Sequence, residues 1–210
     1  MESTSSIVDL DLSNGVLTRS NIMELIESKE LYINPLLEED QIGEISIDLR
    51  VGTDFLMQNL GREPFLNVTE NSLDVRSIQS HFTETRRKLG ESFILHPQQP
   101  VLFSTLEYLK LPDNVYGALT LRSSYNRLGL SLSSIVQPGY CGCLSIELVN
   151  NGNLPIKILS GARVIQMRLI RINDNSKYFK TKRKYTCQVR PLASKANEDS
   201  ELIRLKNILY

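Results

Sequence analysis

The side chains best suited to chemistry lie close together near the middle of the chain. Two arginines and two serines come first, within LRSSYNRLG, and they are Arg122, Ser123, Ser124 and Arg127. Arginine and serine bind phosphate oxygens through hydrogen bonds, which the arginine charge strengthens. A single carboxylate, Glu147, follows 20 positions after Arg127 and could accept a proton. This combination is typical of a site for an anionic ligand that also needs a proton acceptor.

A strand must position the carboxylate. The segment LSIEL, residues 144–148, alternates apolar and polar side chains, and a Gln137-Pro138-Gly139 turn precedes it. Alternation places successive side chains on opposite faces of a strand. The apolar members are therefore expected to face the core, and Ser145 and Glu147 the opposite side.

Spacing alone leaves a second interpretation open for each group. Glu147 could be a surface residue on an exposed strand face, as most glutamates are. The segment 122–127 could be a turn or helix with a solvated basic face. Periodicity excludes neither alternative.

The composition restricts the class of protein. With 210 residues, 41% hydrophobic and 23% charged, the chain is long enough for one globular domain with a real core. Lys and Arg number 24, as do Asp and Glu, so a net charge of zero gives no general attraction to nucleic acid or membranes. We find no run of about 18 apolar residues and no secretory signal at the N-terminus. Three cysteines, an odd number, argue against a disulfide framework, and the expected location is the cytoplasm.

Several motifs resemble one known family. The stretches RSSYNRLGL, QPGYCG and IELVNNGNLPI are similar, in order and spacing, to the dCTP deaminase family, relatives of the trimeric dUTPases. QIGEISIDLRVG, residues 41–52, is similar to that family's QI-x-x-xSIDLR-x-G segment. KYTCQVRPLASK, residues 184–195, is similar to the family's tail, which closes over the nucleotide. The resemblance covers most of residues 18–205.

The resemblance also implies roles for individual residues. Glu147 would be the general base, with Ser123 and Arg127 near the attacking water, so these three are the expected catalytic residues. The expected nucleotide-binding residues are Arg122, Ser123, Ser124, Arg127, Gln137, Tyr178, Lys184 and Gln188.

The chain departs from the family pattern in three places, which makes it a divergent member. Leu121 stands where the family has a glycine before Arg-Ser-Ser. The loop between Gly129 and Pro138 is shorter than in the family, and it belongs to the part that lines the base and sugar pocket. Gln137 replaces an aspartate that meets the sugar 3′-hydroxyl and, in dUTPases, also handles the attacking water. An amide can bind the sugar but cannot act as a base, so we expect deamination without cleavage of dUTP.

A zinc mechanism has no support in the sequence. Most nucleobase deaminases activate the attacking water with zinc, through H-x-E and P-C-x-x-C motifs. Here His96 is followed by Pro97 and Gln98, and one residue separates Cys141 from Cys143. The expected mechanism is therefore metal-free acid–base hydrolysis. The expected cation is Mg²⁺, bound through the triphosphate of the nucleotide.

Many short strands with Gly, Pro and Asn turns predict an all-β fold with few helices. A strand is expected over 41–52, ending at Gly52. The stretch Thr18–Asn21 offers several cap candidates for a helix with Ile22, Leu25 and Ile26 on one face. The resemblance implies a distorted β-barrel or jelly roll of the dUTPase type, assembled as a homotrimer. The expected divisions are a polar lead-in at 1–17, a β domain at 18–175 and a C-terminal arm at 176–210, with a short helix from Asp199 onward.

The predicted function is hydrolytic deamination of dCTP to dUTP and ammonia, in pyrimidine deoxynucleotide metabolism. The expected partners are dCTP and dUTP, with dTTP open as an inhibitor. The alternatives are a dUTP pyrophosphatase, a bifunctional deaminase that forms dUMP, and a non-catalytic nucleotide-binding regulator of the same fold. Glu147 favours an enzyme, whereas Gln137 and the shortened loop favour a binding module.

Overall fold

The computed structural model of the chain describes residues 15–59, 65–69, 77–132, 134–180 and 182–208, so most of the predicted lead-in at 1–17 lies outside the described residues. The described residues form twelve β-strands and three α-helices. In chain order these are β1 Gly15–Val16, α1 Arg19–Glu27, β2 Tyr32–Asn34, β3 Ile47–Gln58, β4 Phe82–Arg86, β5 Ser92–Leu95, β6 Val101–Lys110, β7 Val115–Leu121, α2 Ser123–Asn126, β8 Leu130–Ser131, β9 Ser134–Val136, β10 Cys141–Asn150, β11 Ile156–Leu159, β12 Arg163–Arg171 and α3 Ser200–Ile208.

One large antiparallel sheet dominates the fold. Its strand order is β8-β10-β6-β3-β12-β7-β9, with β1 beside β12, β2 beside β6 and β4 beside β3. Strands β5 and β11 form a separate antiparallel pair. The large sheet curls around a single main core, which confirms the predicted all-β class and the distorted barrel.

The core consists of the inward faces of these strands. Phe55 of β3 lies between Phe93 of β5 and Phe103 of β6, with ring centroids 4.5 and 6.2 Å away. Ile146 and Leu148 of β10 pack into the same core and are almost fully buried. Burying each such side chain stabilises the fold by about 1.5–3 kcal/mol. Strand β10 is therefore held firmly from its apolar side.

The strand predicted over 41–52 is wrong at both ends. Strand β3 begins at Ile47 and continues through Gly52 to Gln58. Gly52 does not end the strand because its role is steric: a Cβ atom there would overlap the carbonyl oxygen of Ser104 on β6. The glycine allows two strands to approach closely instead of breaking one of them.

The helices follow their sequence signals. Thr18 caps α1 through a capping box with Asn21, as the polar residues before the helix predicted. Helix α3 begins at Ser200, which confirms the terminal helix expected from Asp199 onward. Between β12 and α3 the arm contains two short 3₁₀ turns, Tyr178–Lys180 and Ala196–Glu198. No helix in the described part of the chain has the length and apolar character needed to cross a membrane.

Candidate active site

Strand β10 positions Glu147. Its apolar side chains point inward, as predicted from the alternation, because Leu144, Ile146 and Leu148 are all buried. Glu147 and Ser145 lie on the opposite face, where each is paired across the ladder with a residue of β6. The same alternation that fixes the strand in the core therefore directs the carboxylate away from it.

That face of β10 forms one wall of a cavity of about 740 Å³. Strand β9 and the following turn contribute a second wall, and the C-terminal arm covers the cavity. Five of the nine predicted site residues line it: Gln137, Glu147, Tyr178, Lys184 and Gln188. The volume is that of a site for a small molecule of nucleotide size.

The environment of Glu147 favours a proton acceptor. Its side chain is reached by water through the cavity mouth, but protein atoms surround much of the carboxyl group. This loss of hydration raises the pKa of Glu147 above its usual 4.5, and a hydrogen bond from its own backbone acts in the opposite direction. A carboxylate with a raised pKa is a stronger base near neutral pH.

Gln188 offers an unused donor to the cavity. The residue is only 9% exposed, and its Nε2 is one of three buried side-chain nitrogens without a partner among the described residues. Its backbone carbonyl accepts a 2.7 Å hydrogen bond from the Cys143 N–H, which fixes the arm against β10. Leaving a buried donor unpaired costs about 1–3 kcal/mol, so a ligand acceptor that reached this nitrogen from the cavity would be favourable.

The arm also supplies cationic and aromatic groups. Arg183 stacks over the Tyr178 ring at 4.4 Å from its centroid and donates from Nε to the Tyr178 carbonyl at 3.3 Å. Lys184 forms a 2.6 Å ion pair with Asp199, which offsets part of its charge. Arg183 is absent from the predicted residues although it lines the cavity with Tyr140. In the sequence, Arg183 belongs to the basic run around Lys184. Composition alone does not show which side chain of that run reaches the cavity.

The remaining four predicted residues lie outside this cavity. Ser123, Ser124 and Arg127 are exposed, at α2 and its end, and Arg122 precedes them. Arg122 forms a 3.1 Å ion pair with Asp48 of β3. We call these four residues the Arg122 surface. Within one chain, the structure does not bring the Arg122 surface together with Glu147 in one pocket.

Metal ligands were not predicted at this site. Among the residues that the structure describes, no group of three or more His, Cys, Asp or Glu side chains is arranged to hold a metal ion. The metal-free mechanism stays a prediction.

Comparison with known proteins identifies the class. The family model described as dCTP deaminase-like matches residues 16–172. The chain therefore belongs to the dCTP deaminase-like family, which confirms the resemblance drawn from its motifs.

Similar proteins extend the match over most of the chain. The protein named "dCTP deaminase, dUMP-forming" from Methanobrevibacter smithii is 31% identical over 195 residues, covering 90% of this chain and 98% of that protein. The "dCTP deaminase" of Halorubrum lacusprofundi is 33% identical over 193 residues, covering 89% of this chain and 93% of that protein. Among solved structures, the 2′-deoxycytidine 5′-triphosphate deaminase from Agrobacterium tumefaciens superposes with a TM-score of 0.58 at 23% identity, over 75% of this chain and 48% of that one. The structural match supports the same fold.

Proposed function

We propose that this protein hydrolyses dCTP to dUTP and ammonia, with Glu147 as the general base. The observation that carries the proposal is the position of Glu147, a carboxylate of raised pKa in the wall of a cavity of nucleotide size. Membership of the dCTP deaminase-like family and relatives named dCTP deaminase support the substrate. Release of ammonia from dCTP by the pure protein, with dUTP resolved by chromatography, tests it directly.

The reaction needs one proton acceptor that later becomes a donor. Water adds to C4 of the cytosine ring while Glu147 takes one of its protons. The protonated carboxyl then delivers that proton to the exocyclic nitrogen, the C4–N bond breaks, and ammonia leaves. The other proton of the water ends on N3, which gives the uracil ring. A base with a pKa near the working pH serves both steps.

The arm would hold the substrate during this exchange. Gln188 Nε2 can donate to a nucleotide oxygen, while Tyr178 and Gln137 contribute polar contacts at the cavity wall. Lys184 and Arg183 bring positive charge to the same cavity for the phosphates. A triphosphate carries about four negative charges and usually binds Mg²⁺, so the substrate would be the magnesium nucleotide. A cytoplasmic location and inhibition by dTTP stay predictions from the sequence.

A second candidate is a bifunctional enzyme that continues to dUMP. The name of the relative from M. smithii, "dCTP deaminase, dUMP-forming", favours it. Attack of water at phosphorus would need a second base, and the residue at the cavity wall is the amide Gln137 instead of a carboxylate. An amide does not accept a proton near neutral pH. We therefore favour dUTP as the product.

Incubation with dUTP separates these two products. With magnesium dUTP as the only substrate, we expect no dUMP and no pyrophosphate, because Gln137 cannot activate the water. Incubation with dCTP should give dUTP and ammonia in equal amounts. A Gln137→Asp variant provides the comparison, since it restores the carboxylate that the family has at this position, on a side chain one methylene shorter. Metal-dependent formation of dUMP by the parent protein would move the assignment to the bifunctional class.

We also propose that the complete site forms between subunits of a homotrimer. Three of the four residues of the Arg122 surface are exposed in the single chain, and all four lie outside the cavity that contains Glu147. In a closed ring of identical chains, each subunit can present this surface to the cavity of its neighbour. Ser123 and Arg127 would then reach the attacking water, and Arg122 and Ser124 the phosphates, as the family resemblance implies.

Subunit mixing tests this arrangement. Glu147→Gln and Arg127→Ala should each be nearly inactive alone. Co-expressed with different tags and purified as mixed trimers, they should regain activity at roughly a third of the sites, because a ring that contains both variants has one interface in three where the two intact residues meet. A mixture of Glu147→Gln with Gln188→Ala is the control, since these two residues share one cavity. Mixed trimers no more active than their parents, or a monomer in light scattering, would contradict the proposal.

A further inference from the structure

Three thiols that the proposed reaction does not use meet beside the cavity. Cys141 and Cys143 lie at the start of β10, on the face away from the core, and Cys187 lies in the C-terminal arm. All three are free, and Cys187 is exposed. The chain contains no other cysteine. Every thiol of the protein is thus placed where the arm meets the strand that carries Glu147.

The backbones of the arm and β10 are in direct contact at this point. The Cys143 N–H donates to the Gln188 carbonyl at 2.7 Å. Gly142, with φ of +142°, leaves room for the arm, since a Cβ atom there would lie 2.7 Å from the same oxygen. The contact holds Cys187 close to the first three residues of β10. The amide nitrogen of Gln188, which directly follows Cys187, would lie 3.0 Å from the same Cβ atom, so Cys187 is held beside the segment that contains Cys141 and Cys143.

The neighbours of the three thiols differ. The Cys141 sulphur is 2.8 Å from the Tyr108 hydroxyl, and Cys141 contributes to the raised pKa of Cys187. Cys143 is influenced instead by the carboxyl groups of Glu107 and Asp54. The backbone contact brings Cys187 to this end of β10, and the influence of Cys141 on the pKa of Cys187 favours Cys141 over Cys143 as its partner.

We propose that Cys141 and Cys187 are a redox-sensitive thiol pair whose oxidation to a disulfide fastens the C-terminal arm to β10 over the cavity. A low-molecular-weight disulfide, such as oxidised glutathione, is the oxidant. The exposed Cys187 thiolate attacks it and releases one glutathione thiol. The Cys141 thiolate then attacks the Cys187 sulphur, forms the protein disulfide and releases the second thiol. The protein loses two protons and two electrons, and the oxidant becomes two thiols.

The proposal predicts a definite effect on the arm. Partial desolvation, followed by the charge and hydrogen bond of Cys141, raises the pKa of the Cys187 thiol, so oxidation should become faster as the pH rises toward that pKa. The bridge would join residues 46 positions apart and restrict opening of the arm. The Cys143 amide, which is bonded to the arm, should then exchange its hydrogen roughly tenfold more slowly, or slower still. If the cavity binds a nucleotide as proposed, the disulfide should also slow its entry and release; this effect alone rests on the proposed function.

Oxidation of the full-length protein in glutathione buffers tests the pair. After free thiols are blocked, non-reducing peptide mapping of the parent and of Cys143→Ser should show one linkage, between Cys141 and Cys187. Cys141→Ser and Cys187→Ser should show none, only glutathione adducts, and should lack the slower amide exchange. Adducts on Cys187 with Cys141 free in the parent, a linkage through Cys143, or dimers linked through Cys187 would each overturn the proposal. Neither readout needs a nucleotide, so failure of the proposed deamination would leave both results interpretable.

Discussion

Replacement of Glu147 by glutamine should lower kcat for dCTP deamination by about 10²–10⁴-fold, the usual cost of losing a general base. The amide has the same size and can still form hydrogen bonds, but it cannot take a proton from water. Because Glu147 lies on the solvent side of a strand fixed by buried neighbours, the change should leave the fold and the nucleotide affinity nearly intact. Steady-state rates and equilibrium binding of dCTP separate the two effects.

The pH profile provides an independent check of the same residue. The pKa of Glu147 is raised above 4.5, so the parent rate should fall as the pH drops through that pKa and the carboxylate becomes protonated. The residual activity of Glu147→Gln should lack this acid limb. Glu44→Gln, at an exposed glutamate outside the cavity, is the matched control and should behave as the parent. A parent-like rate for Glu147→Gln would exclude Glu147 as the base.

The stability of the protein should fall by roughly 3 kcal/mol between about pH 4.5 and pH 7 through one buried carboxyl group, Glu107. Glu107 is fully buried in β6, where it accepts hydrogen bonds from Gln41 Nε2 at 3.1 Å and the Arg50 N–H at 2.9 Å. Burial raises its pKa from 4.5 to about 7, against the opposing effect of these bonds and of the Arg50 charge. In this range the unfolded chain releases the proton while the folded protein keeps it. The contribution of Glu107 to stability is therefore greatest below pH 4.5 and is lost as the pH rises through 7.

A Glu107→Gln variant removes this dependence. Its amide cannot ionise and retains one acceptor, so at every pH its free energy of unfolding should be about 1 kcal/mol below that of the parent with Glu107 protonated, for one weaker hydrogen bond. Urea unfolding at about pH 4, where Glu107 is protonated in both states, and at about pH 8 gives the free energies of both proteins. We expect the variant to be the less stable at the lower pH and the more stable at the higher one, and Glu44→Gln to follow the parent. An equal difference at both values would show that Glu107 does not titrate in this range.

Local patterns predicted those parts of the fold that depend on local interactions. The alternation at 144–148 correctly gave the faces of β10, and the cap candidates at 18–21 include Thr18, which the structure shows to be the N-cap of α1. The extent of β3 could not be found in this way, because the reason for Gly52 is a contact with Ser104 on another strand. A glycine needed for a turn and one needed for a close approach look the same in a sequence.

In the candidate site, too, local sequence predicted some features, whereas others depend on contacts between distant segments. The role expected of Glu147 followed from a strand pattern and a family motif, and the structure places this residue in the cavity with Gln188 of the distant arm. Glu107 and Arg183 were not anticipated, because the burial of the first and the stacking of the second on Tyr178 depend on tertiary packing. The separation of the Arg122 surface from the cavity likewise depends on how the chain folds, and it cannot be predicted from the spacing of the residues in the sequence.

The close approach at Gly52 has a consequence for the evolution of the chain. Every alternative to glycine adds at least one carbon atom, which would meet the Ser104 carbonyl and push β3 away from β6. Selection at this position therefore acts on the assembly of the sheet, although Gly52 does not line the cavity. If descendants of this chain keep the glycine, the reason would be the short distance between these two strands. A residue can therefore resist substitution without contacting the nucleotide.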